Sequence, residues 1–97
     1  GGAYCVLKKH ISPKKMHHIL KKRNTYTFEY QLKKDIDATT AKFIIDTGSL
    51  KKIVVPKIEI QQQHLTLTHT FKNKGFFDVH LYIENKLIAT YTFKITK

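Results

Sequence analysis

The sequence predicts an all-β protein, an antiparallel sandwich of seven short strands. Two observations support this prediction. Apolar residues recur at every second position in several segments, and turn residues separate these segments about every ten residues. No segment of helical periodicity is long enough to connect parallel strands, so the strands should be antiparallel. The 97 residues suffice for one domain with a single core.

The first residues of the chain are distinguished by their basic charge. We assign residues 1–16 to a basic N-terminal segment or linker and residues 17–97 to the sandwich domain. Within the first part, the apolar run Ala3 to Leu7 predicts either an edge strand or the end of a linker.

Two structures compete for the stretch that follows. Ser12 and Pro13, with Met16 and Ile19 after them, form the start signal of a short helix near 13–22. The alternative makes the residues from His17 onward the first strand of the sandwich. We favour the strand slightly, because the next strand needs a neighbour.

The remaining strands follow from alternation and turn residues. Pro56 cannot donate a hydrogen bond to a ladder, so the segments around it should form an edge or a break. The predicted strands before the final hairpin are Thr25 to Leu32, Thr40 to Asp46, Lys52 to Val55, Lys57 to Ile60 and His64 to Phe71.

The last quarter of the chain, Gly75 to Thr96, predicts a β-hairpin that turns at Asn85. Asparagine adopts positive φ at low steric cost, which suits a tight turn. Every second residue on both sides of the turn is apolar, so each strand should bury one face. The predicted inward residues are Phe77, Val79, Leu81, Ile83, Leu87, Ala89, Tyr91, Phe93 and Ile95.

Three runs of this chain resemble known domains. TYTFEYQL, AKFIID and HLTLTHTFKNKGFFDVHLYIENKLIATYTFKIT are similar to the B, C, E, F and G strands of immunoglobulin-like domains, of the filamin and bacterial-repeat kind or the accessory kind of transglutaminase-like proteins. The resemblance implies an immunoglobulin-like scaffold or interaction module without enzymatic activity. The core tryptophan and the cysteine pair of antibody domains are absent, since the chain has no Trp and one Cys.

One motif suggests an enzyme. Asp46-Thr47-Gly48, preceded by three apolar residues, is similar to the catalytic loop of dimeric aspartic proteases, where two carboxylates share a proton. The apolar-apolar-Gly segment that this family needs later in the chain is missing, because the last glycine is Gly75. The favoured interpretation is a turn in which Asp46 accepts from the backbone and Gly48 takes positive φ.

The histidines and the cysteine predict neither a metal site nor a cofactor. Six histidines occur, but none has a chelating spacing, and His64 and His80 are expected on opposite sheets. His69 shares the parity of Leu65 and Leu67 and should be partly buried. Cys5 is most simply a small apolar residue.

The charge favours a second class of function. The chain carries a net charge of +11, and residues 1–24 hold seven basic residues and no acidic one. Binding of a polyanion, either nucleic acid or anionic lipid, is therefore the first alternative function. Its candidate residues are Lys14, Lys15, Lys21, Lys22 and Arg23. Nucleic acid is not favoured, because the aromatic residues do not lie among the lysines.

A protein partner or a neighbouring domain is the favoured ligand. On the sheet formed by strands C, F and G, the residues predicted to point outward are unusually apolar for a face in contact with water. They are Ile44, Phe76, His80, Tyr82 and Ile88, which we take as the candidate partner-binding residues. No run approaches the roughly 20 apolar residues of a transmembrane segment.

Overall fold

The computed structural model describes residues 3–7, 18–32, 36–48 and 51–97, with only the backbone described for residues 3–7 and 18. These residues form eight strands. In chain order the strands are β1 (Ala3–Leu7), β2 (His18–Lys21), β3 (Thr25–Leu32), β4 (Thr40–Asp46), β5 (Lys52–Glu59), β6 (His64–Thr70), β7 (Gly75–Ile83) and β8 (Lys86–Thr96). The described residues contain no helix, and therefore none that could span a membrane.

The strands form two sheets. A three-stranded sheet has the order β1-β3-β6, and a five-stranded sheet has the order β2-β8-β7-β4-β5. All neighbours pair antiparallel except β2 and β8, which are parallel. The predicted all-β sandwich is confirmed, and the seven strands from β2 to β8 occupy the predicted sandwich region.

The N-terminal stretches have mixed outcomes. β1 pairs with β3, with Ala3 opposite Leu32. The run Ala3 to Leu7 is therefore an edge strand of the three-stranded sheet. β2 is a strand, in agreement with the favoured interpretation of that stretch. It is not the neighbour of the next strand, however, and the expectation that all strands are antiparallel is wrong here, because β2 pairs parallel to β8 in the other sheet. Residues 8–17, including Ser12, Pro13 and the rest of the helix signal, lie outside the described residues. The domain boundary after residue 16 stays a prediction.

The core lies between the sheets and is rich in aromatic side chains. Phe28 of β3 contacts Phe93 of β8 with ring centroids 5.0 Å apart, and Tyr30 of β3 contacts Phe43 of β4 at 5.2 Å. These pairs join one sheet to the other. Such ring contacts add about 0.5–1.5 kcal/mol each beyond the burial of their area.

Two hairpins close through two-residue turns in which both residues have positive φ. Glu84 and Asn85 both have positive φ, 52° and 63°, which is the type I′ turn that matches the twist of a two-residue hairpin. Gln62 and Gln63 form the same kind of turn between β5 and β6, where Gln61 and His64 exchange backbone hydrogen bonds of 2.9 Å. β5 runs through Pro56 without a break, as an edge strand of its sheet.

The first residues of β8 depart from the predicted alternation. The pairing of β7 with β8 shifts register after Leu81, so that Ala89 faces Leu81 but Leu87 faces Tyr82. Ile88 is the extra residue of this β-bulge. Its side chain packs against the core, and Leu87 is 54% exposed. The predictions that Leu87 points inward and Ile88 outward are both wrong, because the bulge reverses their parity.

Candidate functional site

The outer face of the five-stranded sheet carries four of the five predicted partner-binding residues. Alternation along β4 and β7 places Ile44, Phe76, His80 and Tyr82 on the side away from the core. Phe76 is 67% exposed, and the other three are half-buried. Ile88 is not part of this face, and Leu87 takes its place beside Tyr82.

Cross-strand register arranges these residues in rows. Ile44 faces Val54 on one side and His80 on the other, and His80 in turn faces Thr90. In the adjoining row Tyr82 lies between Lys42 and Leu87. We call Ile44, Val54, His80, Tyr82 and Leu87 the docking patch.

Polar contacts orient the side chains at the centre of the docking patch. His80 Nδ1 lies 2.8 Å from the Thr90 hydroxyl, within hydrogen-bond distance. The ring of Tyr82 lies 6.4 Å from that of His80, and Lys42 Nζ lies 5.5 Å from the centroid of the Tyr82 ring, in cation–π range. The aromatic side chains therefore lie along the sheet surface with defined neighbours.

A polar row separates Phe76 from the docking patch. Asp46 faces Lys52 and Asp78, and Asp78 faces Thr92, whose hydroxyl donates a 2.6 Å hydrogen bond to Asp78 Oδ1. Beyond this row Phe76 faces Lys94, which also faces Ile19 of β2. The sequence-predicted surface is thus divided into two apolar parts.

Three further apolar residues lie on this face that were not among the predicted ones. Ile19, Val54 and Leu87 are 55%, 52% and 54% exposed. The position of Ile19 on this face could not be predicted without the parallel pairing of β2 with β8. The position of Val54 could not be predicted without the register of β5 against β4. Only Leu87 left a signal, because the two consecutive apolar residues Leu87 and Ile88 allow either parity.

Asp46, Thr47 and Gly48 form the predicted turn. The Gly48 N–H donates a 2.9 Å hydrogen bond to Asp46 Oδ1, and Gly48 has a φ of 79°. Asp46 Oδ2 lies 3.6 Å from Lys52 Nζ. The hydrogen bond from Gly48, with the positive charge of Lys52, lowers the pKa of Asp46 below its ordinary value. This carboxylate is therefore held ionised by its own turn.

The three histidines whose side chains the structure describes do not come together. His64 is on β6 of one sheet and His80 on β7 of the other, as predicted. His69 is half-buried, with its ring 4.7 Å from that of Phe71, and burial, with a smaller effect of Lys72, lowers the pKa of His69. His17 lies outside the described residues. In the ranges that the structure describes, no group of three metal-binding side chains comes together.

A cleft of about 240 Å³ opens beside His69, between the ends of β4 and β6. Ile53, Phe71 and Phe77 form much of its lining, together with Thr47. It is small for an organic ligand, since binding pockets usually measure about 300–1,000 Å³.

The predicted polyanion-binding residues lie only partly in the described chain. Lys14 and Lys15 are outside it. Lys21 ends β2, and Lys22 and Arg23 form the turn that leads into β3. Arg23 adopts a φ of 69°, which is uncommon for a residue with a long side chain.

The fold is that of an immunoglobulin-like sandwich. β3 pairs with β6, and β7 lies between β4 and β8, which are the B–E and C–F–G neighbours of that architecture. No protein-family model matches the chain, and no curated protein matches it. Among solved structures, the chain is similar to the CARDB domain of the PF1109 protein from Pyrococcus furiosus, solved in complex with di-metal ions. The two share 16% sequence identity over 97% of this chain and 87% of that one, with a TM-score of 0.44.

Proposed function

We propose that this protein is a non-enzymatic immunoglobulin-like interaction module that binds a protein partner or a neighbouring domain through the docking patch. The observation that supports this most is the contiguity of the patch. Val54, Ile44 and His80 are consecutive cross-strand neighbours, and Tyr82 and Leu87 continue the same surface in the next row. Contiguous apolar area on an outer sheet face marks an interaction surface more often than scattered apolar residues do.

The composition of the docking patch suits protein recognition. Tyrosine is enriched at the centre of protein interfaces, because it offers a large rigid surface with a polar end. Tyr82 occupies that position here, with Leu87 on one side and His80 in the row beside it. Lys42 and Thr90 border the patch and supply polar contacts at its rim.

The aspartic protease alternative receives no support from Asp46. A catalytic dyad requires one carboxyl to keep a proton, which needs a second carboxylate at close range and a raised pKa. The pKa of Asp46 is instead lowered. The Gly48 N–H donates a hydrogen bond to Oδ1 of Asp46, and Lys52 pairs with Oδ2. This geometry suits a structural turn.

Photo-crosslinking in cells tests the docking patch. A photoreactive amino acid placed at Tyr82 should yield adducts with a defined protein, identified by mass spectrometry. The same amino acid at Thr66, exposed on the outer face of the other sheet, is the matched control. The partner should then be purified, and Tyr82→Ala with Leu87→Ala should weaken its binding by at least tenfold, since interface aromatics often contribute 2 kcal/mol or more. Equal adducts from both positions, or unchanged affinity of the double variant, would contradict the proposal.

A further inference from the structure

One corner of the sandwich collects basic side chains from three separate stretches of the chain. The turn after β2, the loop between β6 and β7, and the end of β8 meet there. We call the following six residues the basic corner: Lys21, Lys22, Arg23, Lys72, Lys74 and Lys94. All are exposed except Lys22, which is half-buried.

Main-chain contacts hold the three stretches together. The Arg23 N–H donates a 2.7 Å hydrogen bond to the Phe71 carbonyl, directly before Lys72. The Lys22 N–H donates a 2.8 Å hydrogen bond to the Thr96 carbonyl at the end of β8. Gly75, which follows Lys74, pairs with Ile95. The backbone therefore brings the attachment points of these cations to one corner of the sandwich.

Two of the most exposed apolar side chains adjoin this corner. Phe76 and Ile19 lie on either side of Lys94, each as its cross-strand neighbour. They are 67% and 55% exposed, and Lys94 Nζ lies 6.0 Å from the centroid of the Phe76 ring. Cations and apolar side chains thus share one surface.

Few acidic side chains of the described chain lie near the corner. Asp46 and Asp78 form the row next to Phe76; Asp46 pairs with Lys52, whereas Asp78 keeps its charge and accepts a hydrogen bond from Thr92. Asp37 and Glu84 line a common pocket at the opposite end of the sandwich. The corner therefore keeps a strong positive field.

We propose that the basic corner binds a membrane surface that carries anionic lipid headgroups, with Phe76 and Ile19 entering the headgroup region. Basic residues beside exposed apolar ones are the combination that holds peripheral proteins at such a surface. Single-stranded nucleic acid fits less well, because it needs several exposed aromatic faces for stacking. At this corner Phe76 supplies a single aromatic ring, which Lys94 already contacts, and Ile19 has no ring on which a base could stack. This site is separate from the docking patch, since the polar row of Asp46 and Asp78 lies between them.

Sedimentation with lipid vesicles tests the electrostatic part. The full chain should bind vesicles of phosphatidylcholine with phosphatidylglycerol but not phosphatidylcholine alone. Lys72→Gln with Lys74→Gln should weaken binding about 25-fold, at about fivefold per cation. Lys57→Gln with Lys86→Gln removes the same charge away from the corner and should change binding about twofold at most, because the Debye length is only about 8–10 Å. Equal losses in both variants, or no binding to anionic vesicles, would overturn the proposal.

Tryptophan fluorescence tests the insertion part, because the natural chain has no Trp. The emission of Phe76→Trp should shift to the blue when anionic vesicles are added, and that of Leu87→Trp, on the docking patch, should not. An equal shift in both, or none for Phe76→Trp in vesicle-bound protein, would overturn the placement. So would a single-stranded oligonucleotide that binds more tightly than the vesicles through Lys72 and Lys74. Tyr82→Ala with Leu87→Ala should leave vesicle binding unchanged, so the docking patch can fail without affecting this result.

Discussion

The two outer faces of the sandwich carry side chains of different kinds. On the three-stranded sheet, the hydroxyls of Thr25 and Thr70 lie 2.7 Å apart, and those of Thr27 and Thr68 lie 3.2 Å apart. These polar side chains form hydrogen bonds across the strands of their own sheet. The five-stranded sheet instead presents the docking patch, whose apolar groups cannot interact with water or with each other in this way.

The two faces differ in what they gain from being covered by another surface. A polar face of cross-strand pairs is stable in water as it stands, and each such pair contributes about 0.2–1 kcal/mol. An apolar face gains free energy only when another surface covers it, at about 25 cal/mol per Å². The contrast within one domain therefore indicates that the apolar character of the docking patch is specific to that face.

The largest expected effect comes from the core that both faces share. Phe28 is fully buried and contacts Phe71 and Phe93, with ring centroids 6.2 and 5.0 Å away. Phe28→Ala should lower the free energy of unfolding by about 4 kcal/mol, measured by urea denaturation, because it removes an aromatic side chain and leaves a cavity.

The exposed Phe76 is the matched control for that change. Its side chain is 67% exposed, so Phe76→Ala should change the free energy of unfolding by about 0.5 kcal/mol or less. If both substitutions destabilised the protein equally, Phe76 would belong to the core, and the outer face of the five-stranded sheet would not be a free surface.

A smaller effect tests where the docking patch ends. Ile88 packs against the core at the β-bulge, whereas Leu87 beside it is exposed. Ile88→Ala should lower the free energy of unfolding by about 1.5 kcal/mol. Leu87→Ala should change it by about 0.5 kcal/mol or less. If chemical denaturation showed the larger loss for Leu87→Ala, β8 would alternate regularly from its first residue and the β-bulge would be excluded.

This bulge shows how far the sequence could predict the structure. Alternation in β7 correctly predicted the buried Phe77, Val79 and Leu81, because this strand keeps one parity throughout. β8 changes parity after two residues, and nothing local in Leu87 and Ile88 decides which one turns inward. The turn between β7 and β8 decides which of the two points inward. Glu84 and Asn85 both take positive φ, and this two-residue turn fixes the register of the hairpin.

The site was less predictable than the fold, because it depends on which strands are neighbours. Four of its predicted residues could be assigned to the outer face from alternation alone. Ile19 and Val54 join that surface only through the pairing of β2 with β8 and of β5 with β4. The basic corner depends on backbone contacts between segments some 50 to 75 positions apart in the sequence, such as Arg23 with Phe71 and Lys22 with Thr96.

A pH effect is expected at the end of the three-stranded sheet. Burial lowers the pKa of His69 below its ordinary value of 6.5, with a smaller effect of Lys72. The unfolded chain therefore binds more protons than the folded one on the acid side of neutrality. The contribution of His69 to stability should be complete above about pH 6.5 and decline as pH falls through the folded pKa.

NMR titration of the His69 ring measures this directly. Its midpoint should lie below 6.5, and His69→Gln should make the unfolding free energy less sensitive to acid. A midpoint at 6.5 would mean that the ring is better solvated than its contact with Phe71 indicates, and that the end of this sheet is open to water.

The smallest effect concerns the polar face itself. If Thr27 and Thr68 interact across the strands, a double-mutant cycle of Thr27→Ala and Thr68→Ala should give a coupling of about 0.5 kcal/mol in unfolding free energy. Thr27→Ala with Thr66→Ala serves as the control cycle, because Thr66 faces Glu29 and should show less coupling. A coupling of zero for both cycles would mean that water satisfies these hydroxyls equally well. The two outer faces would then differ only in polarity, and the proposal that the docking patch binds a partner would rest on its apolar residues alone.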